Sequence, residues 1–203
     1  MLKKETDTSK IFHIFNRGVD KRETFMDDKD RQRFLDALSR FNLGKDEKHK
    51  AVKILCFSLM PNHYHLLVEE ASEGGISKFM QRLGTGYTMY FNKRYKRTGS
   101  LFETYYKYSQ IQKEAHFLHI SRYIHLNPLS NIYPKWKSLG VKNPDKAKRF
   151  LSNYKWSSYS SYIKEEKIVF VDNKIILDCF KDKNDYEQFV ISWINDFYRL
   201  NSA

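Results

Sequence analysis

The alternation of hydrophobic and polar positions along this chain predicts a mixed fold of strands and helices. Short apolar runs rich in β-branched and aromatic residues predict strands, and apolar residues spaced three or four positions apart predict helices. The resulting order of strand, helix, two strands, helix, strand and helix is typical of an α+β protein with helices packed on an antiparallel sheet. The predicted strands cover residues 11–15, 51–60, 62–69 and 101–108, and the predicted helices cover 27–43, 76–95 and 113–126.

The rest of the chain shows a weaker pattern. Residues 130–152 are basic and rich in turn-forming residues, and they are too many for an ordinary loop. We therefore predict that this connection is functional or partly mobile. The tail has two apolar runs followed by a helical pattern at 185–200. We predict one domain over residues 1–162 and a C-terminal helical appendage, residues 163–203, packed on it.

Two histidines, His63 and His65, stand one residue apart at the start of an apolar run. Because side chains alternate along a strand, both imidazoles would lie on one face and Tyr64 on the other. Imidazoles this close can share one divalent metal ion. On spacing alone, a chance pair of histidines beside a core strand is the better interpretation, and only the surrounding sequence changes it.

The positive charge of the chain is concentrated in one segment. The whole chain of 203 residues has a formal net charge of +12. Residues 75–149 contain fifteen Lys and Arg but three Asp and Glu, so this segment alone carries +12, whereas residues 161–203 carry −2. A merely solvated surface would mix the two signs, so the excess favours a nucleic acid partner.

Cysteine usage and hydropathy favour a cytoplasmic protein. Cys56 and Cys179 are far apart and lie in apolar runs, which indicates neither a disulfide framework nor a zinc cluster. We interpret both as small buried hydrophobic residues in a reducing compartment. No apolar run approaches the roughly 20 residues of a membrane span, and residues 1–10 are too polar for a signal peptide. We therefore expect no membrane partner.

The sequence around the histidine pair resembles a known family. The segment 60–68, Met-Pro-Asn-His-Tyr-His-Leu-Leu-Val, closely resembles the metal-binding signature of the single-tyrosine HUH transposases, and among them the REP-associated tyrosine transposases. Further motifs of that group follow in the expected order, so the resemblance covers most of residues 10–162. They are Asn16-Arg17-Gly18-Val19, residues 87–92, Arg97-Thr98-Gly99, Arg122-Tyr123-Ile124-His125-Leu126-Asn127-Pro128 and Trp156-Ser157-Ser158-Tyr159.

This resemblance implies a ferredoxin-like HUH nuclease core and a metal-dependent enzyme that cuts and rejoins single-stranded DNA. Its substrates would be palindromic or hairpin DNA, not small molecules, and the REP-associated group favours a monomer over a dimer. The resemblance implies that Tyr123 is the nucleophile and forms a 5′-phosphotyrosine intermediate. The sequence alone does not distinguish this residue among fourteen tyrosines.

The resemblance also implies that Asn127 helps His63 and His65 to hold the metal ion. Asn127 lies four residues after Tyr123, on the same helix face. An asparagine before a proline is equally typical of a cap at the end of a helix. Imidazole and amide ligands suit Mg²⁺ or Mn²⁺ in an open site better than a structural zinc ion.

The candidate DNA-binding residues are mostly cations next to aromatic rings. This combination suits neutralisation of the backbone and stacking on unpaired bases, although Tyr87, Tyr90 and Phe91 fit a helix core better. Where the family commonly has Gly-Arg after Phe102, this chain has Glu103, so one expected phosphate contact is missing. The resemblance suggests that Asn16 and Arg17 face the DNA, but they could instead form a hydrogen-bonded turn. The candidates are Asn16, Arg17, Arg94, Lys96, Arg97 and Arg122.

Three alternative functions use the same features. A replication or plasmid-transfer initiator would nick an origin with a similar site, but the motif around Tyr123 and the lack of a helicase argue against it. A domesticated protein that binds hairpin DNA without cutting is opposed by the presence of His63, His65 and Tyr123. An RNA-binding protein would explain the charge but not the histidine pair.

Overall fold

The computed structural model describes residues 10–42 and 50–200, which form one sheet with helices packed on its two faces. Short 3-10 helices, Val19–Lys21 and Asn127–Asn131, follow the first strand and the third helix. The strands are β1 (Ile11–Arg17), β2 (Val52–Met60), β3 (His63–Glu70) and β4 (Lys107–Gln110). The helices are α1 (Asp28–Asn42), α2 (Gly75–Arg94), α3 (Glu114–Leu126), α4 (Trp136–Leu139), α5 (Pro144–Asn153), α6 (Tyr159–Ile163), α7 (Lys174–Leu177) and α8 (Lys183–Leu200).

The four strands pair antiparallel in the order β2-β3-β1-β4. β2 and β3 form a hairpin around Pro61 and Asn62, as the apolar runs on either side predict. β1 lies between β3 and β4, and its register places Phe15 opposite His65 and Arg17 opposite His63. The α+β fold class predicted from the sequence is therefore confirmed.

The two faces of the sheet bury separate hydrophobic cores. The helices α1 and α2 cover the face that carries Ile14, Tyr64 and Leu66. The helices α3, α5, α6 and α8 cover the opposite face. A register shift in β2 between Ile54 and Cys56 lets two consecutive residues of that strand enter the second core. Helices thus cover both faces of the sheet, and α3 lies on the face that carries His63 and His65.

The predicted strand at residues 101–108 is wrong over most of its length. The strand β4 begins only at Lys107, and the preceding segment makes a single bridge between Phe102 and Gly18. The side-chain amide of Asn16 donates to the carbonyl oxygens of Thr104 at 2.8 Å and Tyr105 at 3.0 Å. Because the Asn16 side chain is hydrogen-bonded to these two carbonyl oxygens, the backbone at Thr104 and Tyr105 does not pair with a neighbouring strand.

The segment 130–152, predicted as a turn-rich connection, is instead largely helical. It contains α4 and most of α5, and Trp136 and Leu151 are buried in the second core. The Asn143 side chain accepts a hydrogen bond from the backbone of Lys146 at 2.9 Å, and Pro144 opens the helix. This is a typical helix start. The many lysines of the segment conceal its few buried positions, because they make the whole stretch look solvated.

The C-terminal helix α8 contributes to the same core as α3 and α6. Tyr186, Val190 and Ile194 are fully buried there, and the Tyr186 ring lies 4.8 Å from that of Tyr162. The helix begins two residues earlier than predicted, at Lys183. The proposed division of the chain after residue 162 stays a prediction.

Two further predictions from the sequence concern buried cysteines and membranes. Cys56 is buried, but Cys179 is partly exposed, so the prediction of two buried cysteines is only half correct. The sulfur of Cys179 lies 3.5 Å from the Ile175 carbonyl oxygen, two residues after the end of α7. Among residues 10–42 and 50–200, no helix is long and apolar enough to cross a membrane.

Candidate active site

The histidine pair lies on the face of β3 that α3 covers. The rings of His63 and His65 are 5.2 Å apart and nearly perpendicular, at 88°. Tyr64, between them, is buried in the opposite core. This is the arrangement that the alternation of side chains along a strand predicts. The pair therefore presents two imidazoles to the same space, beside the end of α3.

The tautomer of His63 is fixed by its neighbour Asn62. The Asn62 amide nitrogen donates to the carbonyl oxygen of Lys21 at 3.0 Å, which orients the amide. Its oxygen then faces Nδ1 of His63 at 2.7 Å. Since an amide oxygen can only accept, Nδ1 of His63 carries the proton and Nε2 keeps its lone pair. His63 is thus held in the form that can bind a cation through Nε2.

A third histidine, His13 on β1, joins the pair and was not identified from the sequence. Nε2 of His13 lies 2.9 Å from Nδ1 of His65, and both rings are buried. A metal ligand is commonly supported in this way, by a hydrogen bond to its second ring nitrogen. The contact joins residues 52 positions apart, so no local pattern could have revealed it.

All three imidazoles are held in the neutral form near neutral pH. Burial lowers the pKa of His13 to about 4, with a further contribution from His116. Burial also lowers the pKa of His63 to about 4, and the charges of Arg17 and Lys137 add to this effect. The pKa of His65 is lowered well below its usual value, mainly by burial. Neutral imidazoles are the form in which histidine binds metal ions.

Tyr123 on α3 stands next to this cluster. Its ring meets the rings of His65 at 5.5 Å and His13 at 6.1 Å, both edge to face. Its hydroxyl accepts a hydrogen bond of 3.0 Å from the ammonium group of Lys137. Ile124 and Phe117 anchor the helix in the second core, which turns Tyr123 toward the sheet. The structure therefore brings together the tyrosine and the histidine pair that the motifs single out.

Asn127 makes the contacts of a helix cap and also faces the tyrosine. Its amide nitrogen donates to the carbonyl oxygen of Tyr123 at 2.9 Å, which satisfies one of the last carbonyls of α3. Its amide oxygen accepts from Lys137 at 3.3 Å. The capping contact and an oxygen directed toward the site therefore occur in the same side chain.

Lys137 is the second residue of the site that sequence reasoning missed. It comes from α4, in the segment that was predicted as a connection. Its ammonium nitrogen touches the hydroxyl of Tyr123 and the amide oxygen of Asn127, and it lies 4.3 Å from the centre of the Tyr123 ring. A positive charge thus lies 3.0 Å from the hydroxyl oxygen of Tyr123.

The family described as "Transposase IS200 like" matches residues 8–127, more than half of the chain. This chain belongs to the IS200-like transposase family. The family resemblance inferred from the motifs is confirmed, and membership indicates a DNA-processing protein of the transposase type. It also favours a transposase over a replication or plasmid-transfer initiator. The matched residues include His63, His65, Tyr123 and Asn127 but end before Lys137.

A structural comparison finds a REP-associated tyrosine transposase bound to a REP hairpin. The two chains share 10% sequence identity with a TM-score of 0.49, and the match covers 86% of this chain and 92% of the other. No curated protein gives a significant sequence match.

The side chains of this IS200-like transposase fit a divalent ion in part. His63 offers an open Nε2, and the neutral His65 can do the same if its Nδ1 donates to His13. The Asn127 oxygen accepts one hydrogen bond from Lys137 at 3.3 Å and keeps a second lone pair that a cation could use. Among residues 10–42 and 50–200, no three His, Cys, Asp or Glu side chains form a metal-binding group. The metal site therefore stays a prediction, centred on two imidazoles and an amide.

The six candidate DNA-binding residues occupy different environments. Asn16 is buried and uses its amide on backbone carbonyls, whereas Arg17 is exposed and lies opposite His63 in the sheet. Arg94 forms an ion pair of 2.6 Å with the fully buried Asp30, so it joins α2 to α1.

The other three candidate DNA-binding residues also occupy different environments. Lys96 is exposed after the end of α2, and Arg97 donates to Asn92 at 2.7 Å. Arg122 packs 3.9 Å from the Trp193 ring. Arg17 and Lys96 are therefore the most accessible of the six, and all six assignments stay predictions.

Proposed function

We propose that this IS200-like transposase is a metal-dependent endonuclease and strand transferase for single-stranded DNA, of the REP-associated type, which acts on palindromic or hairpin DNA. The observation that carries the proposal is the position of Tyr123, whose ring touches His65 while its hydroxyl receives a hydrogen bond from a lysine. A tyrosine beside paired neutral imidazoles has the components of a phosphoryl-transfer site.

The proposed reaction exchanges one phosphodiester for another. The hydroxyl oxygen of Tyr123 attacks phosphorus and loses its proton, the bond from phosphorus to the 3′ oxygen breaks, and that oxygen leaves as a 3′-hydroxyl. The product is a 5′-phosphotyrosine. His63 and His65 would hold a divalent ion, which would supply positive charge to the phosphate and to the departing oxygen. Because the new ester is close in energy to the old one, a 3′-hydroxyl can reverse the step without ATP.

Lys137 has a defined part in this reaction. Negative charge develops on the tyrosine oxygen as its proton leaves, and the ammonium group already donates to that oxygen at 3.0 Å. Preorganised donors aimed at a developing charge are among the strongest contributions to catalysis.

The Lys137→Met variant should therefore form the covalent DNA adduct more slowly, by roughly a hundredfold. Single-turnover adduct formation on gels measures the rate, and a hairpin titration measures binding. Lys135→Met is the matched control, since it removes the same charge from an exposed position two residues away. An equal loss of rate in both variants would mean that Lys137 contributes only general charge.

The nature of the DNA partner can be tested by binding. The +12 charge of residues 75–149 implies several phosphate contacts, so affinity should fall steeply with salt, with a log–log slope of about −0.7 per contact on single strands. A hairpin with a single-stranded flank should bind more tightly than a duplex of the same sequence, because Tyr123 must approach phosphorus in line and a flexible strand allows this.

The measurement compares both DNAs and the matching RNA hairpin at two salt concentrations. Equal affinity for hairpin and duplex, or a flat response to salt, would contradict the proposed substrate. Preference for the RNA hairpin would support the RNA-binding alternative. Tight hairpin binding with no covalent adduct in Mn²⁺ would support a domesticated binding protein.

A further inference from the structure

A cavity of about 240 Å³ opens beside the Tyr123 side chain, between α3, α4 and α8. Its surface is mostly apolar, and Lys137 is the charged group on its wall. Pockets for drug-sized ligands usually measure about 300–1,000 Å³, so this cavity suits a single heterocycle better than a longer ligand. The lining residues are His119, Tyr123, Leu126, Trp136, Lys137 and Trp193.

Aromatic rings form the walls of this cavity and are held in place. The indole nitrogen of Trp136 donates to the Ser130 hydroxyl at 3.1 Å, and this ring is buried. The Trp193 ring lies 4.5 Å from that of His119 and 3.9 Å from the guanidinium group of Arg122. The partly exposed ring of Trp193 is therefore a preorganised flat surface, which is the kind of surface that nucleobases stack on.

The cavity adjoins the proposed nucleophile, Tyr123. Tyr123 lines it, and Lys137 both lines it and donates to the Tyr123 hydroxyl. When a phosphate of a single strand reaches that hydroxyl, the bases on its two sides are unpaired and lie within one nucleotide of the cavity. An apolar aromatic site with a cation at its edge matches a base together with its phosphate.

We propose that this cavity binds one unpaired nucleobase next to the phosphodiester that Tyr123 attacks. The inference rests on the proposed function and adds to it a subsite that helps to choose the cleavage position. Trp136, Lys137 and Trp193 lie outside the residues that match the family, 8–127, so the C-terminal part of this chain supplies half of the lining and α3 supplies the other half.

The test uses a hairpin whose cleaved bond has first been mapped from the adduct of the wild-type protein. The nucleotide on each side of that bond is replaced in turn by an abasic residue, and binding is measured with Tyr123→Phe, which keeps the ring but cannot attack. One of the two replacements should weaken binding by about tenfold. An abasic residue farther along the flank should have little effect. A 2-aminopurine at the sensitive position should lose fluorescence on binding, because stacking quenches it.

Protein variants then locate the bound base. In Trp193→Ser the penalty for the abasic residue should largely disappear, whereas Trp193→Phe should retain it. Leu139→Ala is a control for loss of apolar surface on α4, since that side chain is exposed and does not line the cavity. Melting curves identify any variant that fails to fold, and the abasic series in Tyr123→Phe does not depend on those variants.

The outcomes separate this inference from the proposed function. Absence of both adduct and hairpin binding would overturn the proposed function, and the subsite with it. If the adduct forms but neither abasic position weakens binding, only the subsite is overturned. The subsite is also overturned if the abasic residue weakens binding to Trp193→Ser as much as it weakens binding to the protein with Trp193.

Discussion

The Tyr123→Phe variant should form no covalent adduct with DNA, while its affinity for a hairpin changes by less than about tenfold. The change removes the attacking oxygen and one hydrogen bond with Lys137, at 3.0 Å, but it keeps the ring that packs against His65. A single hydrogen bond to an accessible group contributes little to binding. The measurement is a denaturing gel of labelled single-stranded hairpin incubated with protein and Mn²⁺, together with a binding titration of the same DNA.

The control for this prediction is Tyr105→Phe. Tyr105 is 92% exposed and lies in the segment held by Asn16, so its hydroxyl is accessible to DNA but distant in sequence from the motif. This variant should form the adduct at the wild-type rate. An adduct that persists in Tyr123→Phe, or that maps to Tyr105 or Tyr87, would contradict the assignment of the nucleophile.

The sequence predicted those parts of the fold whose patterns are local. Alternation along β3 correctly placed His63 and His65 on one face and Tyr64 on the other. The apolar spacing of α1, α2 and α3 gave each helix to within one or two residues, because each buries one continuous stripe. The prediction of a strand at 101–108 was wrong because two carbonyl oxygens of this segment accept hydrogen bonds from the Asn16 side chain. Asn16 lies about ninety residues earlier in the sequence, so no local pattern reveals this contact.

The candidate site was only partly predictable, because some of its contacts join residues that are far apart in the sequence. His13 reaches His65 through the pairing of β1 with β3, and Lys137 reaches Tyr123 from a segment that lysines make look like a loop. The helix signal in that segment, Asn143 followed by Pro144, was present and could have been recognised. No local signal marks Lys137 itself, since its role depends on how α4 packs beside α3.

The histidine variants His63→Ala and His65→Ala should each lose adduct formation by at least about a hundredfold, and EDTA should have the same effect on the wild-type protein. Each imidazole is neutral, because burial lowers the pKa of both, so each can bind a divalent ion near neutral pH. Removal of one ligand from a site with so few donors should weaken Mn²⁺ binding strongly. Mn²⁺ titration followed by electron paramagnetic resonance measures this directly, without reference to activity.

His116→Ala is the control for the histidine variants, and Asn127→Ala tests the third proposed metal ligand. His116→Ala removes an exposed histidine from α3 and should leave both Mn²⁺ binding and adduct formation close to wild type. Asn127→Ala should weaken Mn²⁺ binding if its oxygen is a ligand of the ion. If Asn127 is only a cap for the Tyr123 carbonyl, the variant should lower the melting temperature and leave Mn²⁺ affinity unchanged. Full adduct formation in EDTA would contradict the metal assignment, because the histidine pair would then support Tyr123 only by packing against it.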